Sequence, residues 1–139
     1  MACFDGGDGL PEALIHPDFV LANVVATAEP GMVLVDWTGA GTGPRLTSLA
    51  FLLFSAGARG LDRVDSAVAG YLLRVQPEPE ELPRVIRVRP AIFDIWAFGH
   101  GRKTLAEARR AMAGTRELAD AVAARAQQAF RDASRGTGR

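Results

Sequence analysis

The chain has 139 residues, 48% of them hydrophobic, with 16 basic and 16 acidic side chains. This length suits a single domain, 1–139, and the apolar fraction is enough for a packed core without metal or disulfide cross-links. The zero formal net charge excludes a general nucleic-acid or anionic-membrane surface, because such surfaces require a basic excess.

The first residues lack the features of a targeting segment. MACFDGGDG has neither a basic start nor an apolar stretch, so it does not resemble a signal peptide. The longest apolar run, 49–58, is too short to span a bilayer. Cys3 is the only cysteine, which excludes an intrachain disulfide. We therefore expect a soluble, cytoplasmic protein without a membrane partner.

Short apolar and β-branched segments between Leu14 and Trp37 predict a strand–loop–strand–turn–strand pattern. Val24–Ala26 and Met32–Val35 are the predicted strands of a small hairpin, and Pro30-Gly31 between them is a strong turn dipeptide. A hairpin of this size must pack on other elements to be stable. The Gly- and Thr-rich segment that follows it, 38–43, is predicted to be a loop.

Four or five helices are predicted after the hairpin. Apolar residues recur at helical spacing over 46–58, 61–75, 80–100 and 104–134. Pro90 should bend or interrupt the third of these helices. Thr104 and Glu107 have the spacing of a capping box, which predicts the start of the last one. The fold class is therefore α+β and mostly helical, with the hairpin first.

The polar residues of the hairpin region are suited to phosphoryl transfer. Antiparallel pairing closed at the Pro30-Gly31 turn should bring Asn23 and Asp36 to one end of the hairpin. Two side-chain oxygens there suit Mg²⁺, which takes one or two protein ligands and fills its other positions with phosphate and water. Asp18 lies five residues before Asn23, where a carboxylate can accept the proton of a substrate hydroxyl.

The motif His16-Pro-Asp18, followed by Asn23 and then by Val35-Asp36-Trp37, resembles the signature of aminoglycoside phosphotransferases and choline-kinase-like enzymes. In that family a histidine–glycine–aspartate precedes an asparagine and then an aspartate–tryptophan pair. The resemblance covers about Leu14 to Ala58. It implies a protein-kinase-like C-terminal lobe with Asp18 as catalytic base, and His16 as the residue that orients the catalytic loop.

The same resemblance implies the cofactors. Asn23 and Asp36 would be the Mg²⁺ ligands, and ATP or GTP would supply the γ-phosphoryl group for a hydroxyl of a small molecule. Three positions depart from the family pattern. Pro17 replaces the usual glycine and restricts His16 to extended geometry. Pro44 and Ser48 stand where the family usually has aspartates, and these two changes bear on how the loop is anchored.

Family members carry a β-rich lobe with a glycine-rich loop and a phosphate-binding lysine before this motif. Only 15 residues precede His16 here, and the one lysine, Lys103, follows the motif. We therefore expect that the nucleotide lobe is absent, that this C-terminal lobe is inactive alone, and that apolar surface is exposed for the missing lobe or for self-association. The alternative is a non-catalytic relic, or a helical module that binds a small molecule or a protein.

Asp94 is a further candidate, for substrate binding. It interrupts the apolar sequence Ile92-Phe93-Asp94-Ile95-Trp96, so a half-buried carboxylate could hold a cationic or hydroxyl-bearing acceptor. The competing interpretation, which we favour from sequence, is an exposed helix position. Trp96 and Phe98 are expected in the core. The acceptor itself stays open among an aminoglycoside, choline, a sugar and an amino-alcohol.

Overall fold

The computed structural model describes residues 12–72, 81–88 and 91–136. Its β part consists of two small antiparallel sheets with two strands each. Strand β1 (Glu12–Ile15) pairs with β4 (Gly41–Pro44), and β2 (Val24–Ala26) pairs with β3 (Met32–Leu34). The second pair is the predicted hairpin. A short 3-10 turn, Leu21–Asn23, leads directly into β2.

Strand β4 lies where the sequence predicts a loop, so that prediction is wrong for residues 41–43. The segment pairs along its length with β1, from Glu12 opposite Pro44 to Ile15 opposite Gly41. Gly43 packs closely against β1, because a Cβ there would lie 2.9 Å from Cδ1 of Ile15 and that side chain would have to move aside. A composition typical of loops is therefore compatible with a strand that must approach its partner closely.

Five helices follow in the described part of the chain: α1 (Leu46–Gly57), α2 (Asp62–Leu72), α3 (Leu82–Val88), α4 (Ala91–Gly99) and α5 (Leu105–Gly136). The predicted helix over 80–100 is thus two helices, and Pro90 lies outside the described residues. The capping box is confirmed. The Thr104 N–H and hydroxyl donate to Oε2 of Glu107 over 2.8 and 2.7 Å, and the Glu107 N–H donates back to the Thr104 hydroxyl.

The core lies among α1, α2, α3 and α5. Its largest fully buried side chains are Leu46, Leu53, Leu82, Ile86, Val64, Val68 and Val122. Helices α1 and α5 meet at Gly57, where a Cβ would lie only 2.2 Å from Cγ2 of Val122. Gly57 therefore has a packing role in addition to marking the end of α1.

The α+β, mostly helical fold class is confirmed. Within the described ranges, no helix combines the length and the apolar character needed to cross a membrane.

Candidate active site

The loop that follows β1 is anchored to the start of α1. Its first residue, His16, is only 2% exposed. The His16 N–H donates to Oγ of Ser48 over 2.9 Å, and the Ser48 hydroxyl donates to the His16 carbonyl over 3.1 Å. A second serine of α1, Ser55, accepts the N–H of Leu21 over 3.0 Å. Ser48 and Ser55 thus anchor the loop to α1.

Both ring nitrogens of His16 are bound to backbone groups. Nδ1 accepts the N–H of Asp18 over 3.3 Å, and Nε2 lies 2.9 Å from the carbonyl oxygen of Val35. Because Nδ1 accepts, the proton belongs on Nε2, which donates to that carbonyl. The Trp37 ring packs edge-on against the imidazole with 4.9 Å between centroids. His16 therefore links the Asp18 loop to the segment that precedes Asp36.

Asp18 and Asn23 are joined directly. Nδ2 of Asn23 donates to the Asp18 carbonyl over 2.9 Å and approaches carboxylate oxygen Oδ2 at 3.4 Å. The shorter bond fixes the orientation of the amide, so its oxygen Oδ1 points away from the Asp18 carbonyl. The Asn23 carbonyl in turn accepts the N–H of Val35 over 2.9 Å and extends the hairpin by one pair.

Asp36 lies one residue beyond Val35, and therefore next to the pair formed by Asn23 and Val35. Its φ of 60° is left-handed, a conformation that costs an L-residue energy unless the surroundings impose it. Trp37 helps to fix this turn, because its Nε1–H donates to the Leu34 carbonyl over 2.8 Å. The strained residue in this segment is the one that the sequence selects as a metal ligand.

The oxygen donors at this end of the hairpin are of the kind that Mg²⁺ prefers. Oδ1 of Asn23 and the Asp36 carboxylate are hard ligands, and Mg²⁺ commonly takes one or two such groups from a protein. The described residues contain no group of three or more His, Cys, Asp or Glu side chains arranged to hold a metal. The candidate set is thus one amide oxygen and one carboxylate.

Asp18 also faces a cavity of about 530 Å³ between the loop and the helices. Its walls come from the loop, α1 and the residues just after it, α4 and α5. They include the apolar side chains of Val20, Phe51, Phe54 and Ala58 together with several polar groups. Asp94 and Thr115 line the same cavity, and so does Arg59. The structure thus brings two sequence candidates, Asp18 and Asp94, to one space.

Asp94 is buried, so the interpretation as an exposed helix position is wrong. Its side chain is 8% exposed. Oδ1 accepts a hydrogen bond from Nζ of Lys103 over 2.6 Å, and Oδ2 accepts one from the Thr115 hydroxyl over 3.1 Å. A carboxylate at this depth is stable only when it is paired and hydrogen-bonded, and these two partners supply both.

Sequence reasoning missed the roles of several groups that build this region: Ser55, Arg59, Lys103 and Thr115. Ser48 is indicated only by the resemblance, and Ser55 follows no motif, since a serine in an apolar helix has many roles. Lys103 and Thr115 are 9 and 21 residues from Asp94, and helical spacing does not relate them to it. The one available signal was Asp94 itself, because a buried acid in an apolar helix requires a cation nearby.

Comparison with known proteins gives one result. Neither the curated proteins nor the solved structures include a significant match to this chain. A sequence model of the Phosphotransferase enzyme family matches residues 4–85, more than half of the chain. The match covers both sheets, α1 and α2, and so the whole loop from His16 to Asp36. The chain belongs to the Phosphotransferase enzyme family.

Proposed function

We propose that this chain supplies the catalytic and metal-binding part of a small-molecule O-phosphotransferase. The reaction moves the γ-phosphoryl group of ATP or GTP to a hydroxyl of the acceptor. One observation carries the proposal: Asp18 lines a ligand-sized cavity and is hydrogen-bonded to Asn23. Asn23 lies at the end of the hairpin, beside Asp36 in the chain pairing. The base for the acceptor is thus bonded to one candidate metal ligand, and the second candidate, Asp36, follows the Val35 that pairs with Asn23.

Asp18 acts on the acceptor hydroxyl. As the hydroxyl oxygen forms a bond to the γ-phosphorus, the Asp18 carboxylate takes the proton. The bond from the γ-phosphorus to its bridging oxygen breaks, and the nucleoside diphosphate leaves with that electron pair. Asn23 fixes the Asp18 loop through its 2.9 Å bond, so that the carboxylate faces the cavity without reorganisation.

Asn23 and Asp36 would hold Mg²⁺ through Oδ1 and the carboxylate. When bound, the metal neutralises charge on the transferred phosphate. His16 is a positioning residue. Its ring joins the Asp18 N–H to the Val35 carbonyl and so fixes the distance between the base and the metal segment.

A second candidate function rests on exposed apolar side chains of the hairpin. We define the apolar hairpin surface as Val25, Met32, Val33, Val35 and Trp37, all of which are exposed; Met32 reaches 76%. Apolar surface of this kind often marks an interaction site. We propose that it packs against a nucleotide-holding unit, or against a second copy of the chain. A binding module without turnover would use the same surface.

Metal binding and turnover test the two functions separately. Titration with Mn²⁺, followed by electron paramagnetic resonance, should show one site that is lost in Asp36→Asn and weakened in Asn23→Ala. Asp132→Asn, on the exposed surface of α5, is the matched control and should keep the site. Absence of a Mn²⁺ site in the wild-type chain would refute the metal assignment.

Turnover is measured with γ-labelled ATP and GTP in the presence of Mg²⁺ and mixed alcohols. Asp18→Asn should lower the rate about a hundredfold to ten-thousandfold, as loss of a general base does. Asp132→Asn should leave it unchanged. Turnover that is equal in the wild type and in Asp18→Asn would refute the role of Asp18 as the base.

A further inference from the structure

We propose that the acceptor is a hydroxy acid with an apolar body, and that Arg59 binds its acidic group. This inference rests on the proposed function, because it identifies the molecule whose hydroxyl Asp18 meets. It commits to one class of acceptor, which the sequence leaves open.

Most of the cavity lining is apolar. Phe54 and Val20 line it together with Phe51 and Ala58, and its volume of about 530 Å³ lies in the range of small-molecule sites. An acceptor must therefore present carbon to these walls. A fully hydroxylated molecule would leave polar groups against them without hydrogen bonds, which is unfavourable.

The buried carboxylate of Asp94 is already neutralised. Lys103 approaches one oxygen at 2.6 Å and Thr115 binds the other, while only 8% of the side chain is exposed. A cationic acceptor would have to displace Lys103, or share the carboxylate with it in a site where like charges repel strongly. The Asp94 end of the cavity thus does not favour an ammonium group.

Arg59 differs from the other charged residues of the cavity walls. It follows α1 by two residues and is exposed at the cavity, and no described side chain forms a salt bridge or hydrogen bond with its guanidinium. A guanidinium matches the geometry of a carboxylate or a phosphate and binds either with two parallel hydrogen bonds. With Asp18 assigned to the hydroxyl and Asp94 paired with Lys103, Arg59 is the charge that the described cavity wall leaves for the acceptor, and it selects an anion.

The experiment compares two probes of nearly equal size and shape, 3-phenyllactate and phenylalaninol. The first is a hydroxy acid and the second is an amino-alcohol. Binding to the full chain is measured by isothermal titration calorimetry, without nucleotide or metal. The wild-type chain should bind 3-phenyllactate at least tenfold more tightly than phenylalaninol.

Arg59→Gln should weaken the binding of 3-phenyllactate by about tenfold to a hundredfold, as expected for loss of a hydrogen bond to a charged group. Arg63→Gln is the matched control: it is an exposed arginine that does not line the cavity, and it should bind as the wild type does. Both variants change exposed side chains, and circular dichroism melting curves check that they fold.

Tighter binding of phenylalaninol, equal loss in Arg59→Gln and Arg63→Gln, or no binding of either probe would overturn the inference. Because the assay contains no metal, it is independent of the Mn²⁺ titration. A Mn²⁺ site combined with no preference for the acid refutes the acceptor class alone. Preference for the acid without a Mn²⁺ site refutes the metal assignment and keeps the acceptor site.

Discussion

The backbone conformation of Asp36, next to the pair formed by Asn23 and Val35, should lower the stability of the fold. Its φ of 60° lies in the left-handed region, where the Cβ of an L-residue crowds the following carbonyl oxygen. We therefore compare Asp36→Ala with Asp36→Gly. Both variants lack the carboxylate, but only the first retains a Cβ.

The magnitude follows from two opposing effects. The left-handed conformation costs an L-residue roughly 1–2 kcal/mol. Glycine loses more conformational freedom on folding than alanine, which offsets about 0.5–1 kcal/mol of that difference. The free energy of unfolding of Asp36→Gly should therefore exceed that of Asp36→Ala by about 0.5–1 kcal/mol.

The same pair of substitutions at Asp132 is the control, because Asp132 lies within helix α5. There glycine should be the less stable variant, by about 0.5–1 kcal/mol, so the sign reverses. Urea unfolding followed by circular dichroism measures all four variants. If Asp36→Gly is instead less stable than Asp36→Ala by about 0.5–1 kcal/mol, as expected at Asp132, this backbone position carries no strain.

Addition of Mg²⁺ to the same four variants and the wild type tests whether Asp36 is a metal ligand. If Asp36 is a ligand, Mg²⁺ at ten times its dissociation constant should stabilise the wild-type chain by about 1.4 kcal/mol. Neither Asp36 variant should gain this stabilisation, although both Asp132 variants should. A Mg²⁺-dependent gain that persists in Asp36→Gly would refute the assignment of Asp36 as a ligand.

Three further predictions concern packing, pH and association. Gly57→Ala should lower the free energy of unfolding by about 1–3 kcal/mol, because the new methyl group would overlap Val122. Gly114→Ala has open space around its new Cβ, so it should raise the free energy of unfolding by about 0.5–1 kcal/mol in the same urea assay. A lower stability of Gly114→Ala would contradict the packing explanation for Gly57. Hydrogen bonds from the N–H and hydroxyl of Thr104 hold the pKa of Glu107 below its ordinary value. The ionised Glu107 carboxylate therefore stabilises the fold fully above its ordinary pKa, and this stabilisation is lost as the pH falls through the lowered pKa. The melting temperatures of Glu107→Gln and the wild type should therefore converge in acid. The apolar hairpin surface should cause self-association that grows with concentration in light scattering, and a monomer at every concentration would count against this role.

The sequence was sufficient to predict the elements that depend on local order. The hairpin strands, the Thr104 capping box and most of the helices follow from periodicity and turn residues within a few positions of each other. Strand β4 could not be predicted this way, because its pairing with β1 spans a large part of the β region and brings Gly43 close to the side chain of Ile15. The prediction from apolar character that Trp96 lies in the core is wrong. Trp96 is exposed, and its ring packs against His100 and Arg102.

The arrangement of the candidate site depends on α1 as much as on the motif. His16, Asp18, Asn23 and Asp36 lie within 21 residues of sequence, so their order and the hairpin register can be predicted together. Ser48 and Ser55 bind the same loop from 32 and 34 residues away, through the backbone N–H groups of His16 and of Leu21. Substitution of either serine would leave a half-buried N–H without its partner, at a cost of roughly 1–3 kcal/mol. The loop that presents Asp18 to the cavity is therefore held by a helix whose apolar sequence shows no sign of that role.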